Sequence, residues 1–179
     1  MDKIYASRLD SPVGPLLLGV SARGLAVLSF APEPPAKLAG KAVLWEYSDE
    51  AVSEARQQLH EYFAGHRREF TIPLDLRGTE FQLQCWDQLQ RIPFGETLSY
   101  AEVAQAVGRP NAYRAVGQAN HHNPVAIIVP CHRVLAGGLA LGGYGGGLAT
   151  KAFLLRLEGA RFHDEAATAL RPPSLPFTE

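Results

Sequence analysis

The run Val125-Ala126-Ile127-Ile128-Val129 leads directly into Pro130-Cys131-His132-Arg133-Val134. Only the thiolate form of cysteine is a strong nucleophile, and a neighbouring imidazole is one of the few groups that can generate it near neutral pH. The pentad therefore points to reactive sulfur. Its plain alternative is a small buried thiol that packs like any apolar residue. If residues 131 and 132 are extended, their side chains face opposite ways, and a bend or a bridging water must join them. Pro130 favours such irregular backbone. Glu158 is a candidate third member able to orient His132, or else a solvated acid at a helix end. His121 and His122 raise the question of a metal with Cys131 and His132, but adjacent histidines rarely reach one ion, and no metal is expected.

Working outward, Gly137 to Gly147 surrounds Tyr144 with glycine, as in a loop that something approaches closely. Leu148 to Leu157 then reads as a helix stopped by Gly159. Upstream, Ser99 to Val107 and Ala112 to Asn120 have helical periodicity on either side of the turn Gly108-Arg109-Pro110-Asn111. Two short helices around such a turn match the helix-turn-helix, whose second helix usually enters a DNA groove, although most such pairs merely pack. Thr79 is a plausible N-cap for a helix burying Phe81, Cys85, Trp86 and Leu89, ended by Pro93 and Gly95. Cys85 thus reads as core.

The first third alternates apolar runs with turns. Leu16 to Leu18 follow the Pro12 to Pro15 turn, Leu25 to Leu28 follow Gly24, and Ala31 to Ala39 is a loop. Val52, Ala55, Leu59, Tyr62 and Phe63 recur at helical spacing up to Gly65, the stripe of a helix that covers a sheet. Phe70 to Leu76 predicts one more strand, and Arg77 and Gly78 close a linker. The expected fold class is α+β: a small sheet-plus-helix domain over residues 1–78, then a mostly helical domain with a helix-turn-helix over 79–163. Residues 164–179, with Pro172, Pro173 and Pro176, predict a loose tail.

Across 179 residues the net charge is −1, so no global basic field advertises nucleic acid. Two cysteines are too few for a disulfide scaffold or a sulfur-rich zinc site. No apolar signal region opens the chain, and no apolar run approaches the roughly 20 residues of a membrane span. These features predict a cytoplasmic protein with no membrane partner.

Taken together, Pro130 to Val134, Arg114-Ala115-Val116-Gly117 and Asn123-Pro124 resemble the O6-alkylguanine-DNA alkyltransferase family. Ile92, Pro93, Gly95, Ser99 and Tyr100 upstream extend the likeness, as do Tyr144, Gly146, Gly147, Lys151, Leu154, Leu155, Glu158 and Gly159 downstream. It covers residues 79 to 160 with motifs in order. The resemblance implies direct DNA repair in one irreversible turnover, in which Cys131 takes the alkyl group from O6-alkylguanine, and also from O4-alkylthymine. It implies His132, through a water and supported by Glu158, as the base, with Tyr100 supplying a proton to the departing base. Asn123 would hold the turn before the active site, while the Val134 carbonyl, Tyr144 and Gly145 would face the flipped guanine. Arg114 would fill the gap left by the flipped nucleotide, on a helix pressed into the minor groove, with Ala112, Tyr113, Ala115 and Gly117 at the DNA surface. Double-stranded DNA is the implied partner, with a monomer acting and no cofactor.

Two residues depart from the family pattern. Tyr113 stands where small residues are common, and Gly145 where some members carry a hydroxyl. The Gly-rich loop and Ala126 predict room for groups larger than methyl. Rival readings are a damage sensor that does not repair, which the presence of cysteine at 131 disfavours, and a thiol hydrolase, which the helix-turn-helix and Arg114 disfavour.

Overall fold

Turn residues break the first third of the chain into short apolar runs that must pair to satisfy their backbone. The computed structural model describes residues 1–163, so the expected tail lies outside the described residues. Five strands form one sheet: β1 (Asp2–Leu9), β2 (Leu16–Val20), β3 (Leu25–Ser29), β4 (Lys37–Leu38) and β5 (Lys41–Tyr47), in the order β3-β2-β1-β5-β4. β1 is central, antiparallel to β2 and parallel to β5, with Ile4 opposite Trp45. Leu16, Leu17 and Leu18 are all buried, so both faces of β2 are covered. One face holds Ile4, Leu17, Val27, Leu38 and Val43 against Ala6 and Trp45.

Helix α1 (Ser53–Phe63) buries the expected stripe of Ala55, Leu59, Tyr62 and Phe63. Its Arg56 ties it to β1 by donating to Ser7 Oγ and the Arg8 carbonyl, both at 2.9 Å, while pairing with Asp49.

Two expectations change here. The loop expected over Ala31 to Ala39 ends in β4, which pairs with the start of β5. Phe70 to Leu76 is not a strand; only Leu74 bridges to Leu25. Pro73 is the reason, since it has no N–H for a ladder. Its carbonyl instead accepts from Leu25 N at 2.9 Å, and Asp75 N returns a bond to Leu25 O. Gly24, with φ +150°, must be glycine, because a Cβ would lie 2.4 Å from the Pro73 carbonyl oxygen.

The chain packs as two compact units, one of Met1–Thr79 with Pro124–Ala126, the other of Glu80–Asn123 with the described chain from Ile127 onward. The expected boundary left Pro124–Ala126 with the second module. In the structure this segment pairs with the edge of β3, Leu28 N donating to Pro124 O and Ala126 N to Leu28 O.

The second unit is mostly helical: α2 (Glu80–Gln90), α3 (Tyr100–Ala106), α4 (Tyr113–His121) and α5 (Leu148–Leu157), with the short parallel pair β6 (Leu98–Ser99) and β7 (Val134–Leu135). Trp86 of α2, fully buried, donates its indole N–H to the Ala119 carbonyl of α4 at 2.9 Å. Ser99 caps α3 in a reciprocal box with Glu102. The helix expected over Ser99 to Val107 thus starts after its cap, and the one expected from Ala112 starts at Tyr113 with Ala112 as N-cap. Among the described residues no helix is long and apolar enough to cross a membrane.

Candidate active site

The apolar run before Cys131 folds as turns, with Ile127 at φ +70°. A β-branched residue in the left-handed region costs on the order of 1–3 kcal/mol and persists only where its surroundings hold it. Asn123 supplies one hold, donating Nδ2 to the Val129 carbonyl at 2.8 Å, and the same nitrogen lies 3.2 Å from Cys131 Sγ. Residues Cys131–Arg133 then form a 3-10 turn rather than the extended backbone considered from sequence. Successive side chains in such a turn diverge by about 120°, less than the opposite directions of extended backbone.

Cys131 forms part of the wall of a cleft of about 380 Å³ lined by Tyr100, Gly117, Gln118, Asn120, His121, Gly143, Tyr144 and Gly145. His132 is wholly buried, its Nε2 2.8 Å from Glu158 Oε2, while its Nδ1 has no hydrogen-bond partner among the described residues. Arg133 completes a buried cluster. Its Nε donates to Glu158 Oε1 at 2.8 Å, Nη2 to Oε2 at 3.0 Å, and Nη1 to the Ile92 carbonyl at 2.6 Å. Burial pushes the Glu158 carboxyl up, but hydrogen bonds and charge from His132 and Arg133 outweigh it and hold it well below the usual carboxylate range.

Lys151 is also fully buried. Its ammonium donates to the carbonyls of Val134 at 2.6 Å, Gly143 at 3.1 Å and Leu141, and lies 5.8 Å from the Tyr100 ring centre. Burial lowers its pKa to about 8. Burial raises the Cys131 thiol, while the Asn123 hydrogen bond and the Lys151 charge pull it back. Tyr100 is likewise raised, by burial and then by Cys131, so its phenol stays protonated at neutral pH; it donates to the Gly143 carbonyl at 3.5 Å. Gly142, at φ +69°, leaves room for that ring, since a Cβ would sit 3.1 Å from it.

The structure therefore brings together Cys131, His132, Glu158, Asn123, Tyr100, Tyr144, Gly145 and Val134. The Val134 carbonyl already accepts from Lys151. Arg114, Tyr113 and Ala115 lie exposed on α4, away from the lining, with the Arg114 guanidinium 5.9 Å from the Tyr113 ring centre. Gly117 reaches the cleft, and at Gly145 a Cβ would meet nothing within 4 Å. Ala126, expected to give room for larger groups, is not in the lining; its backbone is paired with Leu28.

Sequence reasoning assigned no role to Arg133, Lys151 or Asn120. A signal existed for two of them. Around Lys151, Leu148, Ala149, Ala152, Phe153, Leu154 and Leu155 leave little polar surface on the helix, which marks the lysine as buried and partnered. Asn120 stands four residues after Val116, on the buried edge of α4.

Chemically, a shielded thiol in the wall of an open cleft, followed by a histidine hydrogen-bonded to a carboxylate, is the equipment of a protein that forms a covalent bond at sulfur. Similarity to known proteins agrees. Residues 80–160 match the model of the 6-O-methylguanine DNA methyltransferase DNA binding domain, and residues 4–76 that of the ribonuclease-like domain of the same proteins. A methylated-DNA-protein-cysteine methyltransferase of Methanosarcina acetivorans is 44% identical over 162 residues, covering 88% of this chain and 99% of the relative. One from Mycobacterium tuberculosis H37Rv is 48% identical over 161 residues, covering 88% and 94%. The crystal structure of Mycobacterium tuberculosis OGT in complex with DNA superimposes with a TM-score of 0.78 at 46% identity, over 88% of this chain and 92% of that one. The fold class is that of a mixed α+β cysteine methyltransferase. The chain belongs to the 6-O-methylguanine DNA methyltransferase family.

Proposed function

We propose that this protein repairs double-stranded DNA by moving the alkyl group of O6-alkylguanine, and of O4-alkylthymine, onto the Cys131 sulfur in a single irreversible turnover. The observation that carries this reading is Cys131 in the cleft wall, touched by Asn123 and followed directly by the buried His132–Glu158 pair.

The target oxygen lies inside the duplex stack, so the nucleotide must swing out, at a cost of about a few kcal/mol. Arg114, exposed on α4, fills the gap, and the small side chains of Ala112, Ala115 and Gly117 let the helix backbone approach the minor groove. The flipped base enters between Tyr144, Gly145 and Tyr100. Burial keeps the resting thiol protonated; its proton passes through a water to His132, whose far nitrogen is held by Glu158. The sulfur then attacks the alkyl carbon, the S–C bond forms as the C–O bond breaks, and the electron pair stays on the base. Tyr100, protonated, gives its proton to the ring as that charge develops. The product thioether has no good leaving group, so the site is consumed.

Intact-mass measurement after incubation with a duplex carrying one O6-methylguanine tests this. One methyl per protein on Cys131, absent in Cys131→Ala, is expected. Continued turnover by substoichiometric protein, or no mass gain, would overturn it.

A further inference from the structure

The side chain of Asn120 is a feature of the cleft that the proposed chemistry leaves unused. Both its Oδ1 and its Nδ2 are shielded from solvent, and neither has a hydrogen-bond partner among the described residues, although the residue lines the same cleft as Cys131. A buried amide with neither end satisfied is destabilising. Nothing in the packing of α4 requires it, because Val116 and Ala119 already supply the buried face. An apolar side chain there would carry no such cost.

Its place on the helix says what it can reach. Asn123 N donates to the Asn120 carbonyl at 3.2 Å, and Asn123 is the residue that touches Cys131 Sγ. Asn120 thus sits about one helical turn from the sulfur's own neighbour. Asn120 and Cys131 line one cleft, so a group that reaches the sulfur through it has Asn120 in the surrounding wall. Neither buried cation is free to favour an anion at this spot: Arg133 is paired with Glu158, and Lys151 donates to three carbonyls. A primary amide offers one donor and one acceptor face to a neutral polar group.

We infer that Asn120 forms a hydrogen-bonding subsite for the O6 substituent itself, so that the protein favours lesions bearing a neutral polar group, such as 2-hydroxyethyl, over apolar ones of the same size. This rests on the alkyl-transfer reading and specifies the substrate class of that site. Asn120 is here a specificity-determining residue; the bond changes at Cys131 are as described above.

The test uses duplexes with a single O6-methyl, O6-(2-hydroxyethyl) or O6-n-propylguanine. The last two differ only by hydroxyl against methyl at the end of the same chain. Second-order transfer rates are measured for the wild type, Asn120→Leu and Asn120→Ala. The hydroxyethyl-to-propyl rate ratio is formed within each protein, which cancels intrinsic reactivity and any loss common to all substrates. The ratio in the wild type is expected to exceed that in either variant by about fivefold, the effect of one neutral hydrogen bond. Equal ratios in wild type and in whichever variant folds overturn the subsite while methyl transfer stands. A wild type that takes no methyl overturns the underlying function and the subsite with it.

Discussion

Cys85 and Cys131 are both buried, both free and both pushed to higher pKa by burial, yet their surroundings differ in kind. Cys85 lies on α2 in the core, and burial takes it to about 11 with only the charge of Arg109 opposing. Cys131 has an amide nitrogen at 3.2 Å, a buried ammonium acting on it, and a cleft in front. Burial alone therefore does not separate a packing thiol from a reactive one. Polar groups that favour the thiolate, and an opening for a substrate, do.

The largest effect should come from exchanging the two roles. Cys131→Ala should abolish alkyl transfer entirely, read by intact mass, whereas Cys85→Ala should leave the rate within about twofold and lose roughly 1 kcal/mol of stability to a small cavity. Next is the cluster behind the active thiol. Glu158→Gln should slow transfer by about 10²-fold, in line with loss of an acid–base partner. It should also cost roughly 3–5 kcal/mol in urea unfolding, because Arg133 is left buried without its carboxylate.

The same residue sets a pH dependence. The folded carboxyl of Glu158 lies below its ordinary value of 4.5, so its stabilisation is fully present above about pH 4.5 and is lost as pH falls through the lower folded value. Urea midpoints should drop in acid for the wild type and less steeply for Glu158→Gln. A smaller effect is expected from Lys151→Met. With the ammonium gone, the Cys131 thiol rises further, and its labelling by iodoacetamide at pH 7 should slow by about tenfold while that of Cys85 in denatured protein is unchanged. Equal labelling of Cys131 with and without Lys151 would remove that charge from the comparison.

Much of this difference was legible in the chain. Cys131, His132 and Glu158 fall in ordered motifs, and the helix of α5 begins and ends where its apolar spacing and Gly159 predict. The sheet was legible only in part. Leu16 to Leu18 and Leu25 to Leu28 announce themselves because both faces of their strands are covered, whereas β5, Lys41–Tyr47, mixes charged and apolar residues and is held by parallel pairing to a strand far away in sequence. Such non-local pairing leaves no local mark. Phe70 to Leu76 misled in the opposite direction, since its apolar content outweighed the missing N–H of Pro73. At the site, the residue type of Arg133 and Lys151 argues against burial, because long cations are ordinarily exposed. The apolar setting of Lys151 already marks it as buried, whereas the burial of Arg133 becomes visible only when the Glu158 carboxylate and the Ile92 carbonyl that hold it are in place.

The pairing of Pro124–Ala126 with β3 has a consequence for the order in which the protein is made. Synthesis delivers β1 through β5 first, and the central strand already has both neighbours once Tyr47 has left the ribosome. The outer edge of β3 at Leu28 is not closed until Pro124–Ala126 has been added. At about 5–20 residues per second, that edge stays open for several seconds of translation. An unpaired edge is a template for another strand. A nascent or truncated chain ending before Pro124 should therefore self-associate through β3, and the few residues that close the edge also lead directly into the turn that carries Cys131.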